Sequence, residues 1–168
     1  MIFGNPDRFA FLIDKVPEWS AGGYVNGLLY VYVNGEVFPK EHRKTTLSSD
    51  LRGLPNYAFA KLPTDERLYA LNDVALFEEL RKLRYPAYFG EDKEADDDYK
   101  FDIELRELSD CGYHIFAISD GQNARIIVGY WVDLENFEFM NSIKITAAEF
   151  AEIRERIREY YRKEILGV

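Results

Sequence analysis

The run from Tyr113 to Val132 constrains this chain more than any other. Two arms, residues 113–119 and 124–132, are rich in β-branched and aromatic residues, with Asp120-Gly121-Gln122-Asn123 between them. Asp-Gly between such arms is a hairpin signal, because glycine supplies the positive φ that a tight turn needs. Neither arm alternates cleanly. Ile115 and Ala117 share one face and Phe116 and Ile118 the other; Ile126, Val128, Tyr130 and Val132 oppose Ile127 and Trp131. A strand apolar on both faces belongs in the middle of a sheet, covered on both sides. Residues 99–106 do alternate, which predicts a half-exposed neighbouring strand.

Further strands are expected upstream. Residues 9–16 form an apolar run closed by Pro17, and Gly27–Val33 reads as a strand. Asn34-Gly35 then fits a type I′ turn, with residues 36–38 returning as partner and Pro39 stopping them. Residues 137–145 alternate in two pieces and suit a strand interrupted near Asn141.

Helical signals are fewer. Residues 47–55 suit one helical turn starting near Ser48 or Ser49. Asn72 is an N-cap residue for a helix to about Leu83, with Val74, Phe77 and Leu80 as its buried stripe and Glu78 and Lys82 paired outside. Tyr85-Pro86 ends it. Thr146-Ala147-Ala148-Glu149 matches a capping box, and Phe150, Ile153, Ile157, Tyr160, Tyr161 and Ile165 continue at helical spacing up to Gly167. Glu152 with Arg156 and Glu159 with Lys163 are expected to pair on its exposed face. No strand–helix–strand alternation points to parallel crossovers. The expected class is α+β: a mostly antiparallel β-sheet with a mid-chain helix and a long C-terminal helix packed on it, in one domain over residues 1–168.

Chemistry is sparse. There is no G-x-S-x-G, P-loop, G-x-G-x-x-G, H-E-x-x-H or C-x-x-C, so no cofactor is expected. His42, His114 and Cys111 are the whole complement of histidine and cysteine, too few for a structural zinc site. Cys111 with His114, or a carboxylate pair, leaves a small hydrolase as an alternative; the pair lacks the third group that orients a base. A lone cysteine fits a reducing compartment, and the absence of a leader-like start or a long apolar segment predicts a cytoplasmic protein.

The charge balance, 21 basic against 30 acidic residues, gives −9. Such a chain repels phosphate backbones and attracts basic proteins, so neither nucleic acid nor membrane is an expected partner. The acids gather in Glu91, Asp92, Glu94, Asp96, Asp97 and Asp98, flanked by Tyr85, Tyr88 and Phe89. Three readings stand: a solvated loop, a docking surface for a basic partner with Tyr88 as an aromatic anchor, or a divalent-cation site that lacks the EF-hand glycine and terminal glutamate.

At the N-terminus, Met1-Ile2-Phe3-Gly4-Asn5-Pro6, Phe9-Ala10, Trp19, Asn26-Gly27, Tyr32-Val33-Asn34-Gly35 and Leu47-Ser48-Ser49-Asp50-Leu51 resemble the immunity protein 42 family of bacterial polymorphic and contact-dependent toxin systems. The likeness covers mainly the first third of the chain. It implies a small cytoplasmic α+β protein that binds and neutralises a cognate toxin without catalysis, and it carries over no site residues. Joined to the charge reading, it makes a basic toxin, a nuclease being the expected class, the partner. A regulatory binding module with no toxin is the remaining alternative.

Overall fold

The computed structural model describes residues 1–89, 94–133 and 135–168. Strands β1 (Ile2–Asn5), β2 (Phe9–Lys15), β3 (Gly27–Val33) and β4 (Glu36–Phe38) form an antiparallel sheet in chain order. The Asn34-Gly35 turn has φ of 51° and 79°, as a type I′ turn requires. Strands β5 (Tyr113–Ser119), β6 (Asn123–Trp131) and β7 (Phe137–Thr146) form a second antiparallel sheet with β6 central. The predicted interruption of β7 is a bulge: Asn141 opposes Val128 and Phe139 opposes Gly129, leaving Met140 over.

The double-sided apolar pattern of β5 and β6 has its cause in two cores. On one face Ile115, Ala117, Ala124, Ile126 and Val128 pack with Phe9, Phe11, Ile13, Val31 and Val33 of the first sheet. The same cluster takes Leu47 and Leu51 of α1 (Leu47–Gly53), Ala58 and Phe59 of α2 (Tyr57–Ala60), and Phe150, Ile153 and Ile157 of the C-terminal helix. On the other face Phe116, Ile118, Ile127 and Trp131 meet Leu68 of α3 (Glu66–Tyr69) and Leu76, Phe77 and Leu80 of α4 (Asp73–Arg84). Sheet and helices thus bury complementary faces, each large side chain contributing roughly 1.5–3 kcal/mol.

Helix α4 begins where expected, with the Asn72 side chain accepting from Ala75 N at 3.0 Å. Its stripe differs by one residue. Val74 is 53% exposed and Leu76 is buried instead, because the helix is turned so that Arg81 and Arg84 also face inward. Lys82 pairs with Glu79 at 2.9 Å and not with Glu78. A single further turn, α5 (Pro86–Phe89), follows Tyr85.

Residues 99–106 are not a ladder strand. Phe101, Ile103 and Leu105 are buried as the alternation implies, and the segment meets β5 through Ile103 N to Ile115 O and Ala117 N to Phe101 O, both 2.8 Å. It then turns into α6 (Arg106–Asp110), whose N-terminus is capped from another element. Buried Asp50 of α1 accepts from Arg106 N at 3.0 Å and Glu107 N at 3.4 Å.

The C-terminal helix α7 (Ala147–Tyr160) closes the fold. Both halves of the Thr146–Glu149 capping box are made, and Glu149 also pairs with Arg8 of the β1–β2 turn. The helix runs on as a π-helical turn, Tyr161–Leu166, stopped by Gly167 at φ 72°. Lys163 pairs with Glu159 at 2.6 Å. Arg156, expected to pair with Glu152, lies over the Phe3 ring.

Candidate functional site

The C-terminal end of α4 gathers the charged and aromatic residues flagged in the sequence. Arg84 is the centre. Its guanidinium is clamped between rings, 3.2 Å from the Tyr99 centroid and 4.3 Å from that of Tyr85. Its Nε donates to Asp102 at 2.8 Å and its Nη1 to Asp97 at 3.3 Å. Tyr57 extends the stack, its ring 5.1 Å from that of Tyr99. This arrangement ties the acidic segment to the edge of the second sheet. The Asp98 N–H donates to Leu83 O at 3.2 Å, and Lys100 Nζ meets the Asp98 carboxylate at 3.3 Å.

The acidic residues therefore differ among themselves. Asp97 and Asp98 are engaged by Arg84 and Lys100, and Glu94, Asp96 and Asp97 are exposed. Glu91 and Asp92 lie outside the described residues. Tyr88 projects from α5 with 68% of its surface exposed. Beside it opens a groove of about 370 Å³ walled by Tyr85, Tyr88, Phe89, Trp131 and Val132, with Asp133 at its edge. Val132 is 60% exposed. Trp131 and Val132 are read in the sequence only as strand residues, and Asp133 is not singled out there. Their signal is that an apolar strand runs one residue too far, into the turn that Asp133 makes with Asn136.

Burial shapes the titration here. Asp102 has one oxygen on Arg84 and the other, Oδ1, buried without a partner, so desolvation outweighs the arginine's attraction and raises its pKa to about 7. His114 stacks flat on Trp131 at 3.5 Å, and burial lowers its pKa to about 4. It is neutral at pH 7.

The Cys111–His114 pair does not form. Cys111 donates to Glu107 O at 3.1 Å, is approached by Arg43, and packs against the core between the sheets. His114 faces the opposite side of β5, against Trp131. Among the described residues no group of three His, Cys, Asp or Glu side chains is disposed to hold a metal ion, and no helix is long and apolar enough to cross a membrane.

The crystal structure of CdiI from Burkholderia dolosa shares this fold: TM-score 0.77, 23% identity, covering 98% of this chain and 100% of that one. No curated protein matches the chain. The model of the family described as immunity protein 42 matches residues 1–160, so the likeness seen in the first third extends through β7 and α7. A match of that extent, over a fold built from the same N-terminal sheet that carries the recognised motifs, means that the chain belongs to the immunity protein 42 family.

Proposed function

We propose that the chain, acting as one α+β domain in the cytoplasm, neutralises its cognate toxin by covering a basic surface of it with the acidic segment and Tyr88. It works by binding and carries out no turnover. A nuclease is the class of toxin this suits, since an enzyme that grips polyphosphate presents cations that carboxylates satisfy equally well. One observation carries the reading: a large aromatic side chain, Tyr88, stands exposed at the base of the acidic segment. Aromatic anchors beside complementary charge are what interface hot spots are made of. The reading is further supported by membership in a family of immunity proteins and by the net charge of −9.

The test is co-expression with the cognate toxin, copurification, and association kinetics against salt. Glu94→Lys with Asp96→Lys reverses two exposed charges while sparing the Asp97 and Asp98 ion pairs. Association is expected to slow roughly tenfold at low salt and to lose most of its salt dependence. An unchanged rate in the double variant leaves the segment a solvated loop and removes the proposal.

A further inference from the structure

We infer that the groove beside Tyr88 is a socket for one arginine side chain of the basic partner, with Asp133 as its counter-ion. The inference rests on the reading above that the partner is basic. The walls are rings set edge to face: Tyr85 lies 6.2 Å from Tyr88 and 5.8 Å from Trp131, both at 87°. Ring faces carry the negative part of the aromatic quadrupole and attract cations. Of these rings Tyr88 is the exposed one, with 68% of its surface accessible.

Asp133 is fixed in place by its own turn. Its Oδ1 accepts from Glu135 N at 2.9 Å and Asn136 N at 2.8 Å, and its Oδ2 from Asn136 Nδ2 at 2.7 Å. The same bonds hold its pKa below the usual carboxylate range, so it is charged at neutral pH. A carboxylate offers about four lone-pair sites, which leaves one on Oδ2 for an incoming N–H.

The surroundings favour a cation. Asp133 stands at the edge of the groove, and exposed Glu135, whose N–H it accepts, adds a second negative charge beside it. Two arginines stand behind the walls, Arg84 on Tyr85 and Arg81 on Phe89. Both are buried, and the charge of Arg84 is met by Asp97 and Asp102, so neither competes at the mouth. A flat, weakly hydrated guanidinium suits stacking on an exposed ring better than a strongly hydrated ammonium does.

The test is NMR titration of the isotope-labelled protein with N-acetylarginine amide and with N-acetylcitrulline amide, its neutral isostere. The arginine probe is expected to shift the Trp131 indole and Val132 amide signals saturably, and the citrulline probe to bind at least tenfold more weakly. Tyr88→Leu and Asp133→Asn are each expected to weaken the arginine probe about fivefold or more. No saturable shift, or equal response to both probes, overturns the socket. Toxin binding separates the two readings. Asp133→Asn with undiminished toxin affinity, while Glu94→Lys/Asp96→Lys loses it, removes the socket and keeps the docking surface. If neither set changes toxin binding, the docking surface falls as well.

Discussion

Placing α4 on the second sheet depends on Gly129, and Gly129→Ala tests that directly. A Cβ built at this position would lie 1.9 Å from Phe77 Cε2 and 2.0 Å from Cζ. Ordinary carbon contacts are about 3.5–4.0 Å, so the ring must withdraw by roughly 1.5 Å or more. It has little room, because Phe77 also packs against Trp131 at 5.9 Å and Phe116 at 6.3 Å between centroids. The helix itself is pinned at both ends, by Arg125 on Asp73 at 2.7 Å and by Arg84 on Asp102 at 2.8 Å. Overpacking a pinned core costs about 1–3 kcal/mol, and the upper end is expected here. With a urea slope of roughly 1–3 kcal/mol/M, the unfolding midpoint should fall by about 1–3 M. Phe77→Leu removes the clashing ring carbons, so the double variant should be more stable than the two single losses added together, with a coupling of at least about 1 kcal/mol. Urea unfolding followed by circular dichroism reads all three variants. A loss under about 0.5 kcal/mol for Gly129→Ala, or strict additivity in the double variant, would refute the close approach of helix and strand.

Three other perturbations follow from the same contacts. Arg125, 4% exposed, donates to Tyr69 O, Leu71 O and Asp73; Arg125→Met leaves the two carbonyls without this donor, while Asp73, 42% exposed, keeps the Ser142 hydroxyl, so a loss of about 2–4 kcal/mol in thermal or urea unfolding is expected. Thr146→Ala breaks the capping box and should cost about 1 kcal/mol, measured the same way, with fraying confined to the start of α7 in hydrogen exchange. The Asp102 pKa is raised from 3.8 to about 7 in the fold, so the folded state holds the extra proton between those values and stability falls as pH rises through that window; Asp50, raised to about 6, adds the same sign. His114, lowered from 6.5 to about 4, acts oppositely between those values, so Asp102→Asn should flatten the decline most clearly from pH 6.5 to 7, and an unaltered slope in urea unfolding at those pH values would count against the buried carboxyl.

Where one residue's backbone preference or one strand's period settled the matter, the structure was legible in advance. The Asn34-Gly35 turn, the start of α4 at Asn72 and the capping box at Thr146 are local chemistry, and each stands where the residues put it. The two-faced apolar pattern of β6 foretold cover on both sides. What was hidden is what distance in sequence hides. Nothing local reports that Asp50 caps a helix more than fifty residues away, or that Arg84 is held between Tyr85 and Tyr99. Val74 was misplaced because two arginines, polar by composition, take inward positions that periodicity assigns to apolar residues. The acidic segment was read as a unit, yet Arg84 and Lys100 engage Asp97 and Asp98 while Asp96 stays exposed.

The two cores divide the labour of the molecule. The larger holds the N-terminal sheet, α1, α2 and α7; the smaller is a patch of rings and aliphatic side chains under α3 and α4, and the groove beside Tyr88 opens from its margin. Substitutions along the rim of that groove touch few side chains on which the larger core depends. If that rim is where a partner is met, its side chains are open to replacement at small cost in foldedness, because the sheet and helices of the larger core stand apart from them.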